Sequence, residues 1–231
     1  MLLKTKISKH RLHLDPTLNA AYYAAKLGKF TSSEWHHLMG KEGIGKGGMS
    51  YIYRKVGEVL SGRPAKDDIS VPATEHGLNY ERDGLNKFGE KMGLKSMMVQ
   101  PLVLDEDGYC GGTPDGLIVT GESTDLLSYN VQTVEGKCPY SYDGYIRAWK
   151  CKTPKDLMLV NKEWYWQTLH QMYLCGSLVG YFFVYNPFFT AGQINIIEFR
   201  KMNLMSDFAL IEERKKEAIR IFNDTIKELT Q

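Results

Sequence analysis

Residues 109–139 constrain the fold more than any other stretch. They run Tyr-Cys-Gly-Gly-Thr-Pro-Asp-Gly-Leu-Ile-Val, cross a polar insert, and resume as Val-Glu-Gly-Lys-Cys-Pro. Two short strands are predicted, over 117–120 and 133–138, the first entered through the turn signal Pro114-Asp115-Gly116. Side chains alternate across a strand, so Glu135 and Lys137 share one face while Val134, Gly136 and Cys138 take the other. If the strands pair, Asp115 at the mouth of one approaches Glu135 on its neighbour. Two carboxylates and an ammonium then converge where oxygen ligands would bind a hard divalent cation, with the lysine beside a metal-bound water. Either half alone has an ordinary explanation, since Pro-Asp-Gly is a common turn and Glu-x-Lys on a strand is usually a weak solvated ion pair.

The 231 residues suffice for one sizeable core, and no linker divides them, so the chain is expected to be a single domain spanning 1–231. Hydrophobic content of 43% and charged content of 24% are those of an ordinary globular protein. No run is long and apolar enough to cross a membrane, and the first residues lack a signal-peptide core. Cys110, Cys138, Cys151 and Cys175 form no Cys-x-x-Cys pair. That argues against a zinc site or a disulfide framework, and a reducing cytoplasm fits best. A net charge of +2 does not announce a polyanion binder, so any such surface must be local.

Along the chain, a helix within 10–30 ends at Gly28, and Thr31-Ser32-Ser33-Glu34 reads as the cap of a second helix over 35–39. Residues 40–48 hold five glycines and the lysines Lys41 and Lys46, a loop whose bare backbone and ammonium groups can approach phosphates. A helix over 50–60 is followed by one over 74–92. In the latter Leu78, Leu85, Phe88 and Met92 form one stripe, and Glu81 points the same way. An acid on an apolar face is costly unless something cationic meets it. A strand over 97–104 precedes the acidic turn 105–108, and 121–132 is an exposed loop. A tyrosine-rich connection over 140–149 leads to Lys150, Lys152 and Lys155, then a helix over 163–177, strands over 181–185 and 193–199, and an amphipathic helix from 207. This order predicts an α/β protein: a mixed central β-sheet with helices on both faces.

Asp115…Glu135-x-Lys137 matches the Asp…Glu-x-Lys signature of the PD-(D/E)XK nucleases. The fuller string Thr113-Pro114-Asp115-Gly116…Glu135-Gly136-Lys137-Cys138-Pro139 resembles the bacteriophage lambda exonuclease, or YqaJ-like, family of viral recombination nucleases. His76-Gly77-Leu78-Asn79-Tyr80-Glu81 resembles that family's Gly-x-x-Tyr-Glu motif, and Lys26-Leu27-Gly28…Thr31…Ser33-Glu34 its N-terminal motif. The resemblance implies a restriction-endonuclease-like core over 71–231, with residues 1–70 forming a helical part that contacts the DNA end. It implies a Mg²⁺-dependent 5′-to-3′ exonuclease that leaves a 3′ overhang for recombination, with Mn²⁺ able to substitute. Asp115, Glu135 and the Gly136 carbonyl would hold the ion, and Glu81, together with Asp105, would support a second. Lys137 would orient or deprotonate the attacking water. Lys26, Ser33 and Thr113 would hold the 5′ phosphate, with Lys41, Lys46 and Gln167 also on the DNA; Leu169 stands where relatives often carry a glutamine. A ring-shaped homotrimer, a single-strand annealing protein as partner, no membrane, and a bacterial host cytoplasm are implied as well. Two alternatives remain open: an endonuclease or repair nuclease of different polarity, and a non-catalytic DNA-end-binding module.

Overall fold

The computed structural model describes residues 6–11, 22–65, 72–119 and 131–231. Its N-terminal part opens with strand β1 (Lys6–Arg11), then β2 (Phe30–Thr31), a 3₁₀ helix (Ser32–Leu38) and α1 (Lys46–Ser61). Next come α2 (Pro72–Met92), β3 (Met98–Val99), β4 (Pro101–Leu104), β5 (Cys110–Gly112), β6 (Gly116–Val119) and β7 (Val131–Lys137). Helices α3 (Tyr142–Lys150), α4 (Pro154–Val160) and α5 (Lys162–Leu174) lead to β8 (Val179–Tyr185), β9 (Ile194–Arg200) and the closing helix α6 (Met205–Thr230).

The central sheet has the strand order β3-β6-β7-β8-β9 and is mixed: β7 and β8 run parallel, the other neighbours antiparallel. A parallel pair needs a crossover, and α3 to α5 supply it. Strand β8 reads Val-Gly-Tyr-Phe-Phe-Val-Tyr, too apolar for a strand with one wet face. Its alternation sends Phe182 into a core with Trp35, Tyr51, Leu169, Ile211 and Phe222, and Phe183 into a second core with Leu85, Phe88 and Val134. Helices thus cover both faces, as the element order predicts.

The expected strand over 97–104 is in fact two strands in two sheets. Gln100 takes a left-handed φ of +48° between β3 and β4, and the chain leaves the central sheet for a second one ordered β1-β4-β5-β2. The N-terminal part is therefore not wholly helical: β1 and β2 both pair into that second sheet. Within the connection expected over 140–149 a helix begins at Tyr142 and runs to Lys150, because Ser141 caps it, its side chain accepting from the Gly144 N–H, while Tyr145 and Ala148 are buried. Helix α4 begins with a reciprocal capping box between Thr153 and Asp156. Of the exposed loop expected over 121–132, residues 121–130 lie outside the described residues, while Val131 and Gln132 already belong to β7. In α2 the buried stripe keeps Leu85 and Phe88 but not Met92, which is 36% exposed; the Leu78 side chain lies outside the described residues. Among the described residues no helix is long and apolar enough to cross a membrane.

Candidate active site

Pairing of β6 with β7 sets Gly116 opposite Val134, which brings Asp115 to the end of β7. There the Gly136 N–H donates to Asp115 Oδ2 at 2.7 Å. Glu135 is 1% exposed, and Gln171 on α5 donates its amide to Oε2 at 2.6 Å. Lys137 Nζ lies 2.5 Å from Glu135 Oε1 in a close ion pair. Glu81 arrives from α2 and accepts from the Gln100 side chain at 2.5 Å. The backbone N–H of Gln100 also donates to the Asp115 carbonyl at 3.1 Å, so this one residue steadies both acids. Two glycines let helix and strand come this close. A Cβ on Gly136 would stand 2.2 Å from Phe183 Cζ, and one on Gly84 of α2 would stand 2.9 Å from Phe183 Cε2. Gly84 weakens the helix by about 1 kcal/mol against alanine, but a side chain there would push α2 off the sheet.

Burial, and then the charges of Glu135 and Glu81, hold the Asp115 carboxyl well above the usual carboxylate range, against the pull of Lys137 and the Gly136 N–H. Burial also raises Glu81, with Glu135 adding to it and the Gln100 bond and Lys137 opposing. At Lys137 burial disfavours the charge, but Glu135, Asp115 and Glu81 outweigh it and the ammonium is held above its ordinary value. The cluster is thus three mutually repelling acids around one ammonium. Its candidate ligand atoms are all oxygens, and the buried Glu135 Oε1 faces the Lys137 ammonium. That set fits a hard divalent cation such as Mg²⁺ or Mn²⁺, whose charge would offset the repulsion. Among the described residues no three His, Cys, Asp or Glu side chains form a ready-made metal group. Mg²⁺ sites commonly have that character, resting on one or two carboxylates and completing the shell with water and substrate oxygens.

A cleft of about 200 Å³ opens beside Asp115 and is lined by Lys26, Ser33, Thr113 and Gln167, together with Tyr22, Ser32, Gln100, Gly112 and Gln171. Lys26 donates to the Tyr22 hydroxyl at 3.0 Å, and that hydroxyl meets Thr113 Oγ1 at 2.8 Å. Residues Tyr22 to Lys26 are helical, and the turn after them needs the left-handed Gly28, φ +72°. The buried Glu58 accepts the Gly28 N–H at 2.8 Å and is itself held by Lys55 at 3.0 Å. Ser32 is buried and meets His170 Nδ1 at 2.9 Å, while Ser33 is exposed.

The structure therefore gathers Glu81, Asp115, Glu135, Gly136 and Lys137, and next to them Lys26, Ser33, Thr113 and Gln167. It does not gather the rest. Lys41 and Lys46 are exposed, one in the glycine-rich loop and one opening α1, and neither lines the cleft. Asp105 is occupied elsewhere: Oδ1 accepts the Cys110 N–H at 2.9 Å, and Oδ2 lies 2.9 Å from Lys215 of α6. Leu169 is fully buried in the core and leaves no gap in the site. The helix instead presents Gln167 and Gln171, one turn apart on one face. That i,i+4 spacing is the signal by which Gln171 could have been found. Gln100 offered no such signal.

The profile of a family described as YqaJ-like viral recombinase domain matches residues 21–177, more than half of the chain. Among solved structures, an alkaline exonuclease (LHK-Exo) from Laribacter hongkongensis superposes with a TM-score of 0.68 at 20% identity, covering 91% of this chain and 96% of that one. The same enzyme in complex with dAMP gives 0.69 at 20% identity over 91% and 95%. A phage-related exonuclease from Haemophilus somnus 129PT gives 0.62 at 14% identity over 87% and 96%. No curated protein sequence matches the chain. The fold is the PD-(D/E)XK, restriction-endonuclease-like one.

Proposed function

The chain belongs to the YqaJ-like viral recombinase domain family, and from that premise we propose that it is a metal-dependent exonuclease acting on the ends of double-stranded DNA. One observation carries the reading: Glu81, Asp115, Glu135 and Lys137 converge beside a cleft that also holds Lys26 and Thr113. Solved structures like it include an alkaline exonuclease and a phage-related exonuclease, the first also known with dAMP bound.

Asp115, Glu135 and the Gly136 carbonyl would hold Mg²⁺ or Mn²⁺, with Glu81 supporting a second ion. The ions supply Lewis-acid stabilisation of the phosphodiester oxygens and an acidified water. The chain's own groups orient. Gln171 fixes one oxygen of Glu135, Gln100 fixes one of Glu81, and the Gly136 N–H fixes one of Asp115. Lys137, next to Glu135, would orient or deprotonate the attacking water. Lys26 offers a charge-assisted donor to a terminal phosphate, with the Ser33 and Thr113 hydroxyls and the Gln167 amide beside it. A 5′ phosphate seated there would set the first phosphodiester against the carboxylates, which gives 5′-to-3′ polarity and a 3′ overhang. The ring-shaped trimer and the annealing-protein partner carry over from the same resemblance.

The test uses linear duplexes labelled at either end, with Mg²⁺, Mn²⁺ or EDTA. The 5′ label should leave at once as mononucleotide, only with metal, while the 3′ label stays until its strand is nearly consumed. Early loss of the 3′ label, or cutting of closed circular duplex, would overturn the polarity or the exonuclease assignment.

A further inference from the structure

Four aromatic rings stand together beside the carboxylates and take no part in the chemistry above. Tyr80 of α2 immediately precedes Glu81, with His76 one turn earlier. Tyr140 follows Lys137 by three residues, and Phe188 lies just beyond β8, the strand paired with β7. The ring centroids of His76 and Tyr80 are 4.8 Å apart, those of Tyr80 and Phe188 5.4 Å, and those of His76 and Tyr140 5.5 Å.

His76 and Tyr80 are half-buried, Tyr80 against the second core, and the two outer rings are open to water. Tyr140 is 62% exposed and Phe188 59%. Phe188 is fixed at the surface by an Asx turn, its N–H donating to Asn186 Oδ1 at 3.0 Å. Its contact with Tyr80 and that of Tyr140 with His76 are both near-perpendicular, at 80° and 82°. Large aromatic faces left open to water, and continuous with a site that handles phosphodiesters, are what an unpaired base requires. Base stacking on an aromatic face is nearly indifferent to sequence, as suits an enzyme that must process every nucleotide it meets.

We propose that His76, Tyr80, Tyr140 and Phe188 form a stacking shelf that receives the unpaired bases of the strand being degraded, next to the carboxylates. The proposal rests on the nuclease reading and deepens it. Unpairing the terminal nucleotide exposes its base, and the shelf replaces the stacking lost.

The test measures binding in EDTA of a 5′-phosphorylated single-stranded oligonucleotide, against the same oligonucleotide abasic at its first three positions. Wild type should bind the base-bearing strand roughly tenfold more tightly or better, and 2-aminopurine at those positions should be quenched on binding. Tyr140→Ala and Phe188→Ala should each shrink that ratio, and the double variant should bring it close to one. Tyr140→Phe and Phe188→Tyr should keep it. Equal affinity of wild type for both strands would overturn the shelf, as would full discrimination by the double variant. A double variant that changes sedimentation without changing discrimination would instead make this face a contact between copies and also overturn it. Hydrolysis of duplex by wild type in Mg²⁺ separates the two claims: cleavage without discrimination sinks the shelf alone, and no cleavage with either metal sinks the nuclease reading beneath it.

Discussion

Gly136→Ala isolates what the close approach of sheet and helix does for the site. The new Cβ would meet three Phe183 ring atoms at 2.2, 2.6 and 2.8 Å, distances no real Cβ tolerates. Phe183 cannot swing away, because it is fully buried, stacks on Phe88 with centroids 5.5 Å apart, and touches Gly84 on the other side. Overpacking of this kind costs about 1–3 kcal/mol. For a domain of this size that is a fall in melting temperature of roughly 2–12 °C. Relief by backbone movement would shift the N–H that holds Asp115 and the strand that carries Glu135 and Lys137. Activity should therefore fall by much more than the fraction unfolded explains. Urea unfolding and duplex hydrolysis would be measured on the same preparations. Phe183→Leu removes the clashing ring edge, so a double-mutant cycle should give a favourable coupling of about 1 kcal/mol or more. A Gly136→Ala protein of wild-type stability and turnover, or a cycle with no coupling, would refute the reasoning.

Four further outcomes follow from the same geometry. Mg²⁺ at a hundred times its Kd should stabilise wild type by about 2.7 kcal/mol, visible as a higher melting temperature, and Asp115→Ala and Glu135→Ala should lose both that rise and hydrolysis; an unchanged rise would place the ion elsewhere. Glu81→Gln should abolish turnover while metal-free melting stays equal or rises, since Glu81 is a partly buried acid beside Glu135; a large fall would mark it as structural. Gln171→Leu leaves Glu135 Oε2 without its donor, and loss of a bond to a buried charge should cost about 1.5–3 kcal/mol, read by urea denaturation. Lys26→Ala should erase most of the preference for 5′-phosphorylated over 5′-hydroxyl duplex, a contact of about 1.5–3 kcal/mol, read as the ratio of initial rates.

What was legible in the sequence was what local rules decide. Strand alternation and one turn signal sufficed to bring Asp115, Glu135 and Lys137 together, and helical phase put Glu81 on the side facing them. Asp105 sits in a comparable acidic turn, but its placement is decided by Lys215, far along the chain in α6. Helix phase again explains Leu169 and Gln171: two residues along a helix turn a side chain by about 200°, from core to cleft. Helix α3 did carry a readable cap at Ser141, hidden by the tyrosines around it. The break at Gln100 was not readable, because nothing in its neighbours' periodicity demands a left-handed residue.

That break sets stability and turnover against each other at one position. A left-handed glutamine costs about 1–3 kcal/mol of backbone strain, and glycine in its place would relieve it. Glycine would also strip Glu81 of the hydrogen bond it accepts from the Gln100 amide. A library screened for heat tolerance alone should thus enrich glycine at 100, and a library screened for turnover should keep an amide there. Variants tuned for a hot reaction vessel would be sorted by which of those two pressures was applied first.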